Sequence, residues 1–164
     1  MYYSEINKCS TVDGPGVRVA VFFSGCLPNK CSAGHCPGCH NPAAWNFTFG
    51  KEFTKKEMSE ILDAIAPSYI TGLSLLGGEV FDQDESVLIP FLKQVRAQFP
   101  DKNIWCWTGY EFEDIKDREL TNYIDTFVCG RFDITKRDIS ANNMWRGSTN
   151  QYIINRYIVG APIK

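Results

Sequence analysis

Cys26, Cys31, Cys36 and Cys39 fall within fourteen residues, directly after the branched and aromatic run Val19-Ala-Val-Phe-Phe23. A strand that hands its tip to a thiol-rich loop suits metal binding, because thiolates are the protein donors for zinc and for iron–sulfur clusters. The number of thiolates engaged decides the chemistry. Four close a site, whereas three on a four-iron cluster leave one iron open to a small molecule. Cys36-Pro-Gly-Cys39 makes a tight two-thiolate chelate whose third partner is Cys26 or Cys31. Spacing alone leaves three readings side by side: a three-cysteine iron–sulfur cluster, a structural zinc held by all four thiolates, and unrelated thiols sharing a loop.

Other groups add to this. Gly77-Gly78-Glu79 has the composition of a turn leaving a strand. A carboxylate directly behind two glycines, which allow close backbone approach, also offers a partner for a ligand ammonium. Thr108-Gly109-Tyr110 ends the apolar run Asn103-Ile-Trp-Cys-Trp107 and suits packing against a ribose or a methionine tail. His40, next to Cys39, is placed to line a cofactor site, while His35 within the loop reads as a solvated histidine rather than a ligand. Asp13-Gly-Pro-Gly16 reads as a turn, and Trp145 to Gln151 as a solvated loop or a partner-docking surface. Cys106 and Cys129 sit in apolar runs as small buried hydrophobes, and Cys9 as a free thiol.

The elements that must position these groups alternate between strand and helix. Val17–Phe23 is rich in β-branched and aromatic residues and reads as a strand. Thr54-Lys-Lys-Glu57 has capping-box spacing, and behind it Met58, Ile61, Leu62, Ile65 and Ala66 recur with helical period up to Pro67. Gly72–Leu76 is a second strand. Acids at Asp82, Asp84 and Glu85 suit a helix N-terminus, and Leu88, Phe91, Leu92, Val95 and Phe99 make a second helical stripe behind them. Pro90 argues that the regular helix begins near it rather than at residue 85. Asn103–Trp107 is a third strand, followed by a short helix around Phe112 to Ile115. Tyr123–Val128 is a fourth strand, and Tyr152–Val159 a weaker, peripheral fifth. Strands separated by helices predict βαβ units and a mainly parallel sheet. Ligands of such sheets sit at the carboxyl ends of the strands. Cys26, Gly77-Gly78-Glu79, Trp107 to Tyr110 and Gly130-Arg131 all follow strands, so neighbouring strands would bring them to one rim.

Bulk properties narrow the classes. At 164 residues the expectation is one domain, 1–164. A formal charge of −2 and a pI near 5.7 give no electrostatic reason to expect nucleic acid or an anionic membrane as partner. No apolar stretch is long enough to span a bilayer and no signal peptide opens the chain, which points to the cytoplasm. Seven cysteines, four clustered and three scattered, do not resemble a secreted disulfide framework.

Taken together, Asp13-Gly-Pro-Gly16, Ser24-Gly-Cys26, Cys36-Pro-Gly-Cys-His-Asn-Pro42 with Trp45, Leu76-Gly-Gly-Glu79, Ile104 to Tyr110 and Trp145 to Gln151 resemble the radical S-adenosylmethionine (SAM) family. Within it, the Trp-Thr-Gly-Tyr and Trp-Arg-Gly-Ser segments are similar to the activases of anaerobic ribonucleoside-triphosphate reductase. The resemblance implies an α/β fold, an incomplete βα barrel with a mainly parallel sheet. It implies a [4Fe–4S] cluster held by Cys26, Cys36 and Cys39, with SAM on the open iron. Gly77, Gly78 and Glu79 would receive the methionine ammonium, Gly38, His40 and Asn41 would border the adenine, and Thr108 would complete the site.

The implied activity is reductive cleavage of SAM to a 5′-deoxyadenosyl radical that installs a glycyl radical on the large reductase subunit. Flavodoxin or ferredoxin is the implied class of electron donor, and a homodimer is compatible with the resemblance. The usual cluster loop of the family has three residues between its first two cysteines, and here Cys26 and Cys36 are separated by nine. Going from four to nine intervening residues adds only ~0.6 to 0.7 kcal/mol of closure entropy, so length does not exclude Cys26. Its place at a strand tip in a Ser-Gly-Cys context favours it, with Cys31 the alternative. Two other readings compete: a small radical SAM enzyme of the 7-carboxy-7-deazaguanine synthase type acting on a free heterocycle, and a zinc-stabilised binding module without a reaction.

Overall fold

The computed structural model describes residues 1–28 and 35–156. Cys31 and the last residues of the expected fifth strand lie outside that range. One seven-stranded sheet organises the chain: β1 (Tyr2–Ser10), β2 (Val17–Ser24), β3 (Lys51–Glu52), β4 (Ile70–Gly77), β5 (Asn103–Trp107), β6 (Thr126–Cys129) and β7 (Tyr152–Asn155). The strand order is β3-β1-β2-β4-β5-β6-β7. The middle four, β2, β4, β5 and β6, are parallel, and antiparallel strands flank them on both sides. The fold is therefore mixed α/β with its parallel part in the centre.

Helix α1 (Lys55–Ile65) carries the chain from β3 to β4, and α2 (Glu85–Gln98) from β4 to β5. Thr54 caps α1 in a full capping box with Glu57, as its spacing predicts. The start of α2 differs from the sequence expectation. The Asp84 side chain accepts from the Ser86 N–H, which fixes the helix start ahead of Pro90. Pro90 then lies inside the helix on its exposed side, where water can satisfy the Ser86 carbonyl that proline cannot serve. The fourth strand is also shorter than expected. Residues 119–123 form a 3₁₀ turn before it, and the Asp125 carboxylate takes the Ile104 N–H at 2.6 Å. Helix α3 (Phe112–Ile115) stands where the pattern places it.

Side-chain alternation along the parallel strands divides the sheet into two unlike faces. Val19, Val21, Phe23, Leu73, Leu75, Ile104, Cys106, Phe127 and Cys129 pack with Ile61, Ile65, Leu88, Phe91, Leu92 and Val95 of α1 and α2 in the main core. The opposite face carries Arg18 near the amino end of β2, Ser74 and Trp105 in the middle of β4 and β5, and Phe22, Leu76 and Trp107 near the carboxyl ends. Arg18 is fully buried. Its Nε donates to Ser74 Oγ at 2.7 Å, one terminal nitrogen to Asn103 Oδ1 at 2.6 Å, and the other to the Leu73 carbonyl at 2.8 Å. The Ser74 hydroxyl passes the chain of bonds on to the Asp13 carbonyl at 2.6 Å. Burial pulls the guanidinium down to about 10, still charged at neutral pH. Among the described residues, no helix is long and apolar enough to cross a membrane.

A thiol-lined cavity as candidate cofactor site

The carboxyl ends of the parallel strands open into a cavity of about 380 Å³. The parallel register sets Phe22 beside Leu76 and Phe23 beside Gly77, so β2 and β4 end level and their loops meet. Gly78 N–H donates to the Phe23 carbonyl at 2.8 Å and Glu79 N–H to the Gly25 carbonyl at 2.8 Å. The approach is too close for a side chain: a Cβ on Gly78 would stand 2.3 Å from the Gly25 carbonyl oxygen, and one on Gly77 2.1 Å from that of Phe23. The pair of glycines thus allows β4's exit to touch the strand tip that carries Cys26.

Cys26, Cys36 and Cys39 all line the cavity and all are partly exposed. Cys36 and Cys39 are joined by a turn in which Cys39 N–H donates to the Cys36 carbonyl at 3.1 Å. Cys26 follows the strand tip and is held from below. Gly25 N–H donates to Ala44 O at 2.8 Å and Cys26 N–H to Trp45 O at 3.2 Å. Leu27 N–H donates to Asp82 Oδ2 at 2.7 Å.

Glu79 is the second organiser. Only 2% exposed, its carboxylate accepts from Phe81 N at 3.1 Å, from Thr108 Oγ1 at 2.7 Å and from Gly109 N at 2.8 Å. It therefore ties the turn after β4 to the turn after β5. Asp82 repeats the pattern one step outward, accepting from Tyr110 Oη at 2.9 Å as well as from Leu27. Burial, followed by Asp82, pushes the Tyr110 hydroxyl above its ordinary value, so it stays a donor.

The residues expected at the site from sequence line this cavity except Tyr110 and Gly38, the latter exposed on the Cys36–Cys39 turn against Ile134; Cys31 falls outside the described residues. His40 is exposed and meets the Phe132 ring edge-on at 5.0 Å. Asn41 lines the wall and its carbonyl accepts from Ala44 N at 3.1 Å. His35 is not a solvated histidine: it lies half-buried, stacked on Trp45, with Nε2 at 2.9 Å from the Cys26 carbonyl. The segment around Trp145 is more than a solvated loop, since Gly147 and Gln151 line the cavity. Gln151 Nε2 donates to Gly130 O at 2.9 Å, and its Oε1 accepts from Gly147 N at 2.8 Å. Trp107 Nε1 donates to the carbonyl of Trp145 at 2.7 Å. Arg131 and Phe132 complete that side. Cys106 and Cys129 stay out of the site, buried in the sheet. Burial raises both thiols, Cys129 to about 12.

The donor set suits an iron–sulfur cluster. Three soft thiols line one volume whose other walls combine apolar side chains such as Phe22, Leu76 and Trp107 with the polar groups of Asn41, Glu79, Arg131 and Gln151. Among the described residues no three His, Cys, Asp or Glu side chains form a group that would hold a single metal ion. A cubane takes each thiolate on a different iron, so its anchors stand around a volume rather than a point.

Comparison with known proteins agrees with this chemistry. Residues 12–154 match the family described as the 4Fe-4S single cluster domain. The chain is 39% identical over 152 residues to a protein of Enterobacteria phage T4, covering 92% of each. It is 36% identical over 160 residues to one of Pasteurella multocida (93% of this chain and 96% of that one), and 32% identical over 158 residues to one of Escherichia coli K12 (93% and 97%). All three are named anaerobic ribonucleoside-triphosphate reductase-activating protein.

Proposed function

The chain belongs to the family of anaerobic ribonucleoside-triphosphate reductase-activating proteins with a 4Fe-4S single cluster domain, and on that footing we propose that it is a radical SAM activase of the large reductase subunit. When bound, the cluster supplies the electron that splits SAM into methionine and a 5′-deoxyadenosyl radical, which takes a hydrogen atom from a glycine of the reductase. The protein's part is binding, orientation and exclusion of water.

Cys26, Cys36 and Cys39 anchor the [4Fe–4S] cluster and leave one iron for SAM. The Gly77-Gly78-Glu79 turn receives the methionine ammonium. Its carboxylate is oriented by Thr108 and Gly109. His40 and Asn41, which line the cavity, border the adenine. No side chain is required as general acid or base.

Residues 1–164 act as one domain, with β2, β4, β5 and β6 the core of an incomplete βα barrel. The expected setting is the cytoplasm, with flavodoxin or ferredoxin as electron donor and a homodimer as the assembly to look for. A single observation carries this reading: three thiols and the glycine–glutamate turn meet in one cavity at the carboxyl ends of the parallel strands.

The test is anaerobic mixing with the large reductase subunit, SAM and a reductant. A glycyl radical doublet in the electron paramagnetic resonance (EPR) spectrum of the reductase is expected. SAM cleavage without that radical would refute the partner, and a colourless protein with stoichiometric zinc would refute the chemistry.

A further inference from the structure

Nine residues separate Cys26 from Cys36, yet the far end of that excursion returns to its start. His35, the residue directly before Cys36, places Nε2 2.9 Å from the Cys26 carbonyl oxygen. A carbonyl only accepts, so Nε2 carries the proton. The His35 ring lies flat on Trp45, with centroids 4.1 Å apart and planes within 7°. Trp45 serves twice, because its own carbonyl accepts the Cys26 N–H.

We propose that His35 is a positioning residue for cluster assembly: pinned between Trp45 and the Cys26 carbonyl, it turns a long cysteine spacing into a short one. The inference rests on the reading of Cys26 and Cys36 as cluster ligands. Removing residues 29–34 would leave Cys26-Leu-Pro-His-Cys36, with three intervening residues. In that shortened chain the peptide bonds themselves keep the two cysteines adjacent, and the pin becomes redundant.

The experiment reconstitutes the full chain with iron and sulfide without oxygen and titrates it with an iron chelator, following the visible absorption of the cluster. One hydrogen bond and one stacked ring pair together correspond to roughly ten-fold or more in an equilibrium. His35→Ala should lower the chelator concentration that strips half the cluster by about that factor. Metal-free melting by circular dichroism shows whether each variant is folded. His35→Phe, which keeps the stack and loses the donor, should fall between the two. In the shortened chain His35→Ala should change the chelator midpoint by less than about two-fold, the non-additivity of coupled sites.

Within the full-length chain, Trp45→Leu should weaken retention like His35→Ala, and the double variant should add little. An unchanged midpoint for His35→Ala, an equal loss in both loop lengths, or fully additive losses with Trp45→Leu overturns the inference. Failure of the parent chain to take up a cluster defeats the reading of the site itself, a result distinct from a loaded parent that is indifferent to His35.

Discussion

Replacing Glu79 by glutamine tests whether the carboxylate organises the site before any ligand arrives. Oε1 accepts from Phe81 N and Thr108 Oγ1, and Oε2 accepts from Gly109 N. Glutamine can keep its oxygen at the Oε1 position, where two charge-assisted bonds become neutral ones and each loses about 1 kcal/mol. Its amide nitrogen then faces the Gly109 N–H, donor against donor, leaving a buried donor unsatisfied at a cost of about 1 to 3 kcal/mol. Relief from burying a charge offsets part of this, so the net loss is about 3 kcal/mol. In a chain of this length each kcal/mol moves the melting midpoint by about 2 to 4 °C. The metal-free Glu79→Gln protein should therefore melt about 6 to 12 °C below the parent, by far-ultraviolet circular dichroism without SAM. A carboxylate whose sole task was to meet an incoming ammonium would leave the ligand-free curve unmoved. A shift under about 2 °C would refute the argument.

Other outcomes follow from the same geometry. Cys26→Ser, Cys36→Ser and Cys39→Ser should each prevent cluster assembly, read as iron and sulfide content, while Cys31→Ser should leave SAM cleavage largely intact; the reverse for Cys26 and Cys31 exchanges their roles. Arg18→Met should destabilise by about 3 to 5 kcal/mol in urea, because it orphans the buried acceptors of Ser74, Asn103 and Leu73, and a loss below about 1 kcal/mol would contradict that account. The folded state holds the Cys106 and Cys129 thiols above their ordinary 9.0, so it binds more protons than the unfolded chain above that pH. Their contribution to stability is complete below about pH 9 and falls as pH rises, by about 1.4 kcal/mol per pH unit for each fully shifted thiol. Urea unfolding between pH 9 and 10 should show that decline, and Cys129→Ala should flatten it; an unchanged slope refutes the assignment.

Much of this was legible in the residues, for identifiable reasons. β2, β4 and β5 announce themselves because strands buried on both faces read as unbroken apolar runs. α1 does so because Thr54 and Glu57 spell out its cap. β1 carries no such signal: it is flanked by the two-residue β3, so much of it faces water and its sequence is half polar. Pro90 misleads because a proline looks like a boundary, whereas the cap at Asp84 outranks it. The thiols and the Gly77-Gly78-Glu79 turn could be found from type and spacing. Phe22 and Leu76 could not, since which face of a strand meets the cavity is decided only when α1 and α2 cover the other. Gln151 was equally hidden, because its role consists of bonds to Gly130 and Gly147, partners that only the tertiary fold supplies.

The guanidinium knot of Arg18 stitches β2 to β4 and β5 beneath the cavity. Strands fastened by one buried cation resist slipping in register, so the ends of β2 and β4 stay level and Gly78 keeps its contact with the strand tip that carries Cys26. A charge sealed far from solvent in the sheet thus sets how accurately the rim above it is aligned.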